Sequence, residues 1–218
     1  MIYNIKITNG CRKEVLDFIG TQKNKSKFTV IDVGGSLSGW SSKVIDAVVD
    51  FNDPDKDEES KVVHFKCDIT HPDSWKEILE YVAENGKFDF CICTHTLEDI
   101  MNPAFVCEQI CKIAKTGYIS FPSKHRELSR CEGLYRGYIH HRFIFTIKDN
   151  KLIAFPKVNF IDFETCYDSI SSLDMARFDL SFYWRDNISI EYVNNNYLGP
   201  GVDAVKRYYR ALLDSDSI

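Results

Sequence analysis

Residues 28–39 read FTVIDVGGSLSG, and this stretch decides the fold. A run of apolar residues, interrupted only by Asp32, ends abruptly at Gly34-Gly35. Such a run suits a strand that is buried on both faces of a parallel sheet. Glycines directly after the strand let the backbone turn sharply and approach a ligand closely. We therefore predict a central strand that leads into a glycine turn at the ligand-binding edge of an α/β sheet.

Strand and helix patterns alternate around this stretch through roughly the first 120 residues. The apolar runs predict strands, and apolar residues at helical spacing predict the helices between them. The predicted strands are 2–8, 28–33, 47–50, 62–67, 88–93 and 117–121, and the predicted helices are 13–21, 73–84 and 103–115. Later in the chain we predict a β-hairpin (143–147 and 152–155), a strand near 188–193 and a helix over 203–213.

This alternation predicts one α/β domain over residues 1–218. We expect a Rossmann-like, doubly wound and mostly parallel sheet, with helices on both faces and an antiparallel hairpin at its C-terminal end.

The composition is that of an ordinary globular domain. The 218 residues are 44% apolar and 27% charged, and the formal net charge is −5. No apolar run reaches the ~18 residues that cross a bilayer, and the N-terminus lacks the features of a secretory signal, so we expect no membrane association. Proteins held on nucleic acid usually carry a dense basic face, which this sequence lacks, so we expect no nucleic-acid partner.

Five of the eight cysteines lie within apolar patterns, at positions 67, 91, 93, 107 and 111. A free cysteine in such a pattern behaves as a small hydrophobic residue. We therefore expect reduced thiols and a cytoplasmic location. No CxxC pair occurs, and Cys107 and Cys111 lack a second ligand pair with the spacing of zinc sites, so we expect no metal.

Acidic residues end the next two predicted strands. Asp50 ends the strand 47–50, where a carboxylate commonly accepts hydrogen bonds from ribose hydroxyls. Asp68 and Ile69 follow the predicted strand 62–67, and Thr94-His95 follow the predicted strand 88–93. Each of these acids alone is also typical of a simple turn. Because the carboxyl ends of parallel strands meet at one edge, we expect these residues to border one ligand site.

Five segments in this order resemble the motifs of class I S-adenosylmethionine-dependent methyltransferases, specifically the small type 11 methyltransferase-domain subgroup. That family has an acid-x-Gly-x-Gly turn, acids ending its second and third strands, a motif resembling FDxVxxxHxLEH and a fifth strand resembling GYIETPS. The corresponding segments here are IDVGGSLSG (31–39), VVD (48–50), CDI (67–69), FDFCICTHTLED (88–99) and GYISFPS (117–123). The chain departs from the family at Gly35, which falls one place early, and at Asp99, where the family has His.

The resemblance implies an S-adenosylmethionine-dependent methyltransferase (EC 2.1.1.-) with a cofactor-binding core over about 28–122 and a hairpin and acceptor-side region over about 123–218. It also implies where the cofactor would contact the chain. Those contacts are Asp32, Gly34 and Gly35 along the methionine part, Asp50 at the ribose, Asp68 and Ile69 at the adenine, and Thr94 with His95 beside the sulfonium.

His95 and His141 are the candidate general bases for the acceptor, with a structural histidine as the alternative for each. We predict methyl transfer to a small-molecule or sugar-like acceptor by a monomer or a homodimer. The basic residues from Lys124 to Arg142 favour a small anionic acceptor. Two alternatives stay open, a nucleotide- or nicotinamide-binding enzyme on a similar sheet and a non-catalytic interaction protein that keeps the methyltransferase fold.

Overall fold

The computed structural model describes residues 1–52, 61–130, 133–170, 177–193 and 202–214. The strands in this part of the chain are β1 (Ile2–Thr8), β2 (Val30–Val33), β3 (Ala47–Asp50), β4 (Val63–Lys66), β5 (Phe88–Thr94), β6 (Ala114–Pro122), β7 (Phe143–Lys148), β8 (Lys151–Pro156), β9 (Asp179–Arg185) and β10 (Ile190–Tyr192). The helices are α1 (Arg12–Lys23), α2 (Lys76–Asn85), α3 (Pro103–Ile113), α4 (Lys124–Leu128) and α5 (Val202–Asp214). Three 3-10 turns lie at Pro72–Trp75, Asn159–Phe163 and Thr165–Tyr167.

Seven strands form one sheet in the order β1-β9-β6-β5-β2-β3-β4. The five strands β4-β3-β2-β5-β6 run parallel, whereas β9 runs antiparallel to both β6 and β1. The chain builds outward from β2 through β3 and β4, then returns to the other side of β2 with β5 and β6. This reversal between β2 and β5 is the switch point at which doubly wound sheets bind ligands. The predicted fold class is therefore confirmed.

The predicted hairpin is present as β7 and β8, which pair antiparallel from Phe143↔Pro156 to Lys148↔Lys151. It forms a second, three-stranded sheet with β10, which runs parallel to β8. The antiparallel member of the large sheet is instead β9, a strand that the sequence patterns did not predict.

Helix α3 illustrates how local sequence sets an element's ends. The side chain of Asn102 accepts a hydrogen bond from the Phe105 N–H at 3.2 Å, and Pro103 occupies the first helical position. The helix ends at Ile113 rather than at the predicted residue 115, because β6 already begins at Ala114. Its buried face includes Val106 and Ile110 and packs against the central sheet.

Residues 36–44 form consecutive turns rather than a helix, which agrees with the short spacing between the glycine turn and β3. No helix in the described ranges is long and apolar enough to span a membrane.

A candidate ligand site at the carboxyl edge of the parallel sheet

The glycine turn after β2 is held against both neighbouring strands. Gly34 adopts φ +78°, and its N–H donates to the Val49 carbonyl at 2.9 Å. A Cβ at Gly34 would lie 2.5 Å from Thr96 Oγ1, and a Cβ at Gly35 would lie 2.3 Å from the Cγ of Asp32. Both separations are too short for any side chain. The two glycines are therefore needed for the turn to pack closely on these side chains.

Asp32 lies beneath this turn and is only 2% exposed. Its Oδ2 accepts a hydrogen bond from the Ser41 hydroxyl, whereas its Oδ1 has no hydrogen-bond partner in the described part of the chain. Burial raises the pKa of the Asp32 carboxyl to about 6, against the opposing effect of the Ser41 hydrogen bond. The sequence placed Asp32 along the ligand. In the structure this carboxylate is shielded from solvent below the turn.

The ends of β3 and β4 border an open cleft of about 470 Å³. Its lining residues are Phe51, Asn52, Lys66, Asp68 and Ser74. A cleft of this size falls in the range of roughly 300–1,000 Å³ that small-molecule sites occupy. Asp50 and Asp68, which sequence analysis placed at one ligand site, thus lie at or beside one cleft.

Both acids at this cleft are oriented by short turns of their own. Asp50 Oδ1 accepts from the Asn52 N–H at 3.0 Å, and Asp68 Oδ1 accepts from the N–H and hydroxyl of Thr70. The hydrogen bonds from Thr70 lower the pKa of the Asp68 carboxyl, so this group is ionised at neutral pH. In each case the bonded oxygen is Oδ1. Each acid therefore shapes its own turn, and Asp68 lines the cleft while Asp50 directly precedes its lining residue Phe51.

Thr94 and His95 lie at the switch point, where β5 ends beside the glycine turn. Thr94 Oγ1 accepts from Trp40 Nε1 at 3.4 Å, so the turn after β2 reaches across to β5. The His95 N–H donates to the Ser120 carbonyl at 2.9 Å, and its backbone adopts φ +50°. That left-handed conformation costs about 1–3 kcal/mol for a residue other than glycine. It turns the chain sharply at the end of β5 and sets the position of the His95 ring.

The His95 ring lies between two carboxylates. Its Nδ1 is 3.5 Å from Glu98 Oε1, and its Nε2 is 3.7 Å from Asp179 Oδ1. Burial lowers the pKa of His95, but the attraction of Glu98 and Asp179 outweighs this effect, and the net pKa is raised. Burial in turn raises the pKa of both Glu98 and Asp179, against the attraction of His95. The arrangement can accept a proton at His95 and stabilise the resulting positive charge.

His141, the second candidate base, is almost fully buried. Its Nδ1 lies 2.6 Å from Glu127 Oε1, and its Nε2 lies 3.5 Å from Asp99 Oδ1. Glu98 lies within electrostatic reach of both His95 and His141, which links the two histidines to one region. The structure places His141 between Glu127 and Asp99.

Two basic side chains of the segment between Ser123 and Arg142 are buried and engaged within the fold. Arg136 is fully buried, where it donates to the Ile161 and Leu128 carbonyls at 2.9 and 2.8 Å. Lys124 is also buried and donates to the Leu212 carbonyl at 3.1 Å. These two cations tie helices and turns together, so they are not available to an anionic acceptor.

Three residues at this edge were missed by sequence reasoning. Phe51 follows Asp50 and is 68% exposed at the cleft, and its position next to a strand-end acid was a usable signal. Asp179 reaches His95 because β9 pairs with β6, with Asp179 opposite Pro122. Glu127 reaches His141 from α4. No local pattern signals the last two contacts, because each joins residues that are distant in the chain.

No protein-family model matches this sequence, and no curated protein matches it. Several solved structures are similar to it at 10% identity. The N-terminal domain of EvdMO1, solved with SAH bound, has a TM-score of 0.40, with 78% of this chain and 79% of that chain covered. The magnesium protoporphyrin IX methyltransferase ChlM from Synechocystis PCC 6803, solved with SAM bound, has a TM-score of 0.39 with 79% and 77% covered. The methyltransferase domain of bacterial CtHen1-C has a TM-score of 0.41 with 82% and 98% covered. These values assign no family, so a functional proposal has to rest on this chain's own residues.

Proposed function

We propose that this protein binds S-adenosylmethionine at the carboxyl edge of its parallel sheet and transfers the methyl group to a small hydroxylated acceptor. The observation that carries the proposal is the order of features along this edge. Acids at the ends of β3 and β4 border a cleft, the glycine turn follows, and His95 stands at the switch point between β2 and β5.

The cleft and the residues beside it carry groups that could bind the ribose and the base of a nucleoside. The carboxylate of Asp50 would accept from ribose hydroxyls, and ionised Asp68 would accept from the amino group of adenine. Phe51 offers an exposed aromatic face beside both acids, against which a planar base can stack. Gly34 has no side chain, so the cofactor could pass close to the backbone as it runs from this cleft toward β5.

S-adenosylmethionine supplies an electrophilic methyl group on a positively charged sulfur. The residues at the switch point would position the acceptor against it, which is catalysis chiefly by proximity. His95 would take the proton of an acceptor hydroxyl at Nε2. This nitrogen faces Asp179, whose side chain is less deeply buried than that of Glu98, so the acceptor would approach from that side. Glu98 and Asp179 would then stabilise the imidazolium.

The charges around His95 also bear on the acceptor. Glu98 and Asp179 flank the ring, and Lys124 and Arg136 are engaged elsewhere. Arg12 and Arg126 lie within electrostatic reach of Asp179, but the two carboxylates stand directly against the ring, so an anionic acceptor at the ring would meet their like charge. We therefore propose a neutral or cationic hydroxylated small molecule in place of the anionic metabolite that the sequence favoured.

The test is calorimetric titration with S-adenosylmethionine and its demethylated product. Asp50→Asn keeps an Oδ1 acceptor for the Asn52 N–H but removes the charge that faces ribose. We expect this variant to bind about 10- to 100-fold more weakly, the effect of losing a charged hydrogen-bond acceptor. Asp17→Asn, at an exposed position on α1, is the matched control and should bind like the wild type.

The proposal fails if neither compound binds the wild-type protein. Binding of a dinucleotide in their place would support the nucleotide-binding alternative. Equal affinity in the Asp50→Asn variant would remove Asp50 from the site.

A further inference from the structure

Three metal-ligating side chains converge on one point outside the edge described above. The Nε2 atoms of His140 and His141 lie 3.7 and 3.5 Å from the same oxygen, Asp99 Oδ1. One ligand atom of each of the three residues lies within 4.8 Å of the others. Neither nitrogen makes a hydrogen bond to that oxygen, and Asp99 Oδ1 is shielded from solvent without a hydrogen-bond partner among the described residues.

A carboxylate contacts the Nδ1 atom of His141, which is an arrangement found at many metal-binding histidines. Its Nδ1 lies 2.6 Å from Glu127 Oε1, and this carboxylate is itself buried. The other oxygen, Glu127 Oε2, accepts from Lys157 Nζ at 2.8 Å. A carboxylate on Nδ1 fixes the tautomer with the proton on that atom, which leaves the Nε2 lone pair directed toward Asp99.

The backbone around these groups is tied together. Gly137 packs so closely on Glu127 that a Cβ there would lie 2.2 Å from Oε2. Arg142, directly after the histidine pair, donates its N–H to the Glu98 carbonyl at 2.7 Å and its Nε to the Asp99 carbonyl at 3.0 Å. The loop that carries Asp99 and the segment that carries both histidines are therefore fixed to each other. A cation would find its ligands already assembled.

The separations suit a metal ion better than a pair of ion pairs. A zinc-like ion with ligands at about 2.0–2.2 Å places tetrahedral ligand atoms roughly 3.4 Å apart. The two distances to Asp99 Oδ1 are close to that value. The two imidazole rings meet edge to face at 80°, so they approach the common point from different directions. Hydrogen-bonded ion pairs would instead bring each nitrogen to about 2.7–2.9 Å from the oxygen.

We propose that Asp99, His140 and His141 bind a divalent first-row transition-metal ion. Two imidazoles and one carboxylate suit zinc, iron, cobalt or nickel better than magnesium or calcium, which prefer oxygen ligands. Three protein ligands leave at least one coordination position open, the pattern of sites that also bind water or substrate. The sequence predicted no metal because positions 99 and 140–141 are too far apart along the chain to form a recognisable spacing.

The site adjoins the acceptor side of the switch point, since Glu98 directly precedes Asp99 and lies in electrostatic reach of both His95 and His141. If the proposed methyl transfer holds, the open position would bind an oxygen of the acceptor and orient it. Metal binding itself does not depend on that function. The experiment below therefore measures it in the absence of S-adenosylmethionine.

The experiment titrates metal-free protein with Co²⁺ and follows the visible absorption of the bound ion, with Zn²⁺ competition as the second readout. We expect one ion per chain, a spectrum typical of nitrogen and oxygen ligands, and displacement by Zn²⁺. His140→Ala and Asp99→Asn should each weaken binding at least about 10-fold, since the first removes one of three ligands and the second replaces a charged oxygen ligand by a neutral one. His140 is 61% exposed, and Asp99 Oδ1 has no hydrogen-bond partner among the described residues, so neither change should unfold the protein.

His64→Ala, at a half-buried position on the edge strand β4, is the control and should bind Co²⁺ like the wild type. Thermal unfolding of each variant without metal checks that it is folded. Absence of one-to-one Co²⁺ binding, equal affinity in the His140→Ala and Asp99→Asn variants, or a spectrum dominated by thiolate ligands would each overturn the proposal. Calorimetry with the demethylated cofactor on the same metal-free samples tests the proposed function separately.

Discussion

Asp32→Asn should change how the stability of this protein depends on pH. Burial raises the pKa of Asp32 from an ordinary value near 3.8 to about 6 in the folded state. Between these values the folded protein binds more protons than the unfolded chain. Its free energy of unfolding therefore falls as the pH rises through this range.

The full effect of this shift is about 3 kcal/mol, at about 1.4 kcal/mol for each pKa unit. Roughly 2 kcal/mol of it lies between about pH 4.5 and about pH 8, because part of the titration has already occurred below that range. An asparagine cannot titrate, so the Asp32→Asn variant lacks this contribution. Any constant cost of the new amide, such as a buried N–H without an acceptor, is the same at both pH values and cancels.

The assay is urea unfolding of the wild type and of Asp32→Asn at both pH values, with Asp17→Asn as the control for removing an exposed carboxylate. The difference in unfolding free energy, variant minus wild type, should become about 2 kcal/mol more positive from the lower to the higher pH. The control should show no comparable change. If the Asp32→Asn and wild-type curves run parallel, the carboxylate is not buried as described and the reasoning is refuted.

Two further predictions concern backbone positions. A Cβ at Gly117 would lie 2.4 Å from the Cys91 carbonyl oxygen, so Gly117→Ala should destabilise the fold by about 1–3 kcal/mol in urea unfolding. A Cβ at Gly20 in helix α1 would meet no atom within 4 Å, so Gly20→Ala should stabilise the fold by about 0.5–1 kcal/mol in the same assay. His95→Asn should fit the backbone at this position, because Asn adopts positive φ readily, and should lower methyl transfer at least about 100-fold. Turnover within about 10-fold of the wild type would exclude His95 as the base.

Local pattern was sufficient for most of the large sheet. The predicted strands 2–8 and 47–50 match β1 and β3 at both ends, because apolar runs with clear flanking turns mark them. Strand β9 was missed because its residues, DLSFYWR, are buried on both faces and show no alternation. Its place depends on pairing with β1 and β6 together, which is a tertiary contact. The pairing of the predicted hairpin with β10 is likewise a tertiary contact, because β10 lies far along the chain from β8.

The candidate site likewise contains residues that the sequence could predict and residues that it could not. Strand-end residues such as Asp50, Asp68 and His95 were predictable, because the carboxyl ends of parallel strands share an edge. Sequence position did not reveal that Asp32 points beneath the glycine turn, since an acid at a strand end can face either the ligand or the core. The cluster of Asp99 with the two histidines required the fold to join two distant segments.

Unfavourable features of this protein concentrate where the proposed sites lie. Of the non-glycine residues with positive φ in the described ranges, His95 is the only one that is neither Asn nor Asp. Among the described residues, most of the buried side-chain oxygens and nitrogens without a hydrogen-bond partner belong to four carboxylates at this edge or beside it, those of Asp32, Glu98, Asp99 and Asp179. Buried polar groups are otherwise hydrogen-bonded almost throughout folded proteins. Strain and unpaired charge gathered in one region are expected where a ligand or cation supplies the missing interactions, so binding at this edge should stabilise the fold as well as enable chemistry.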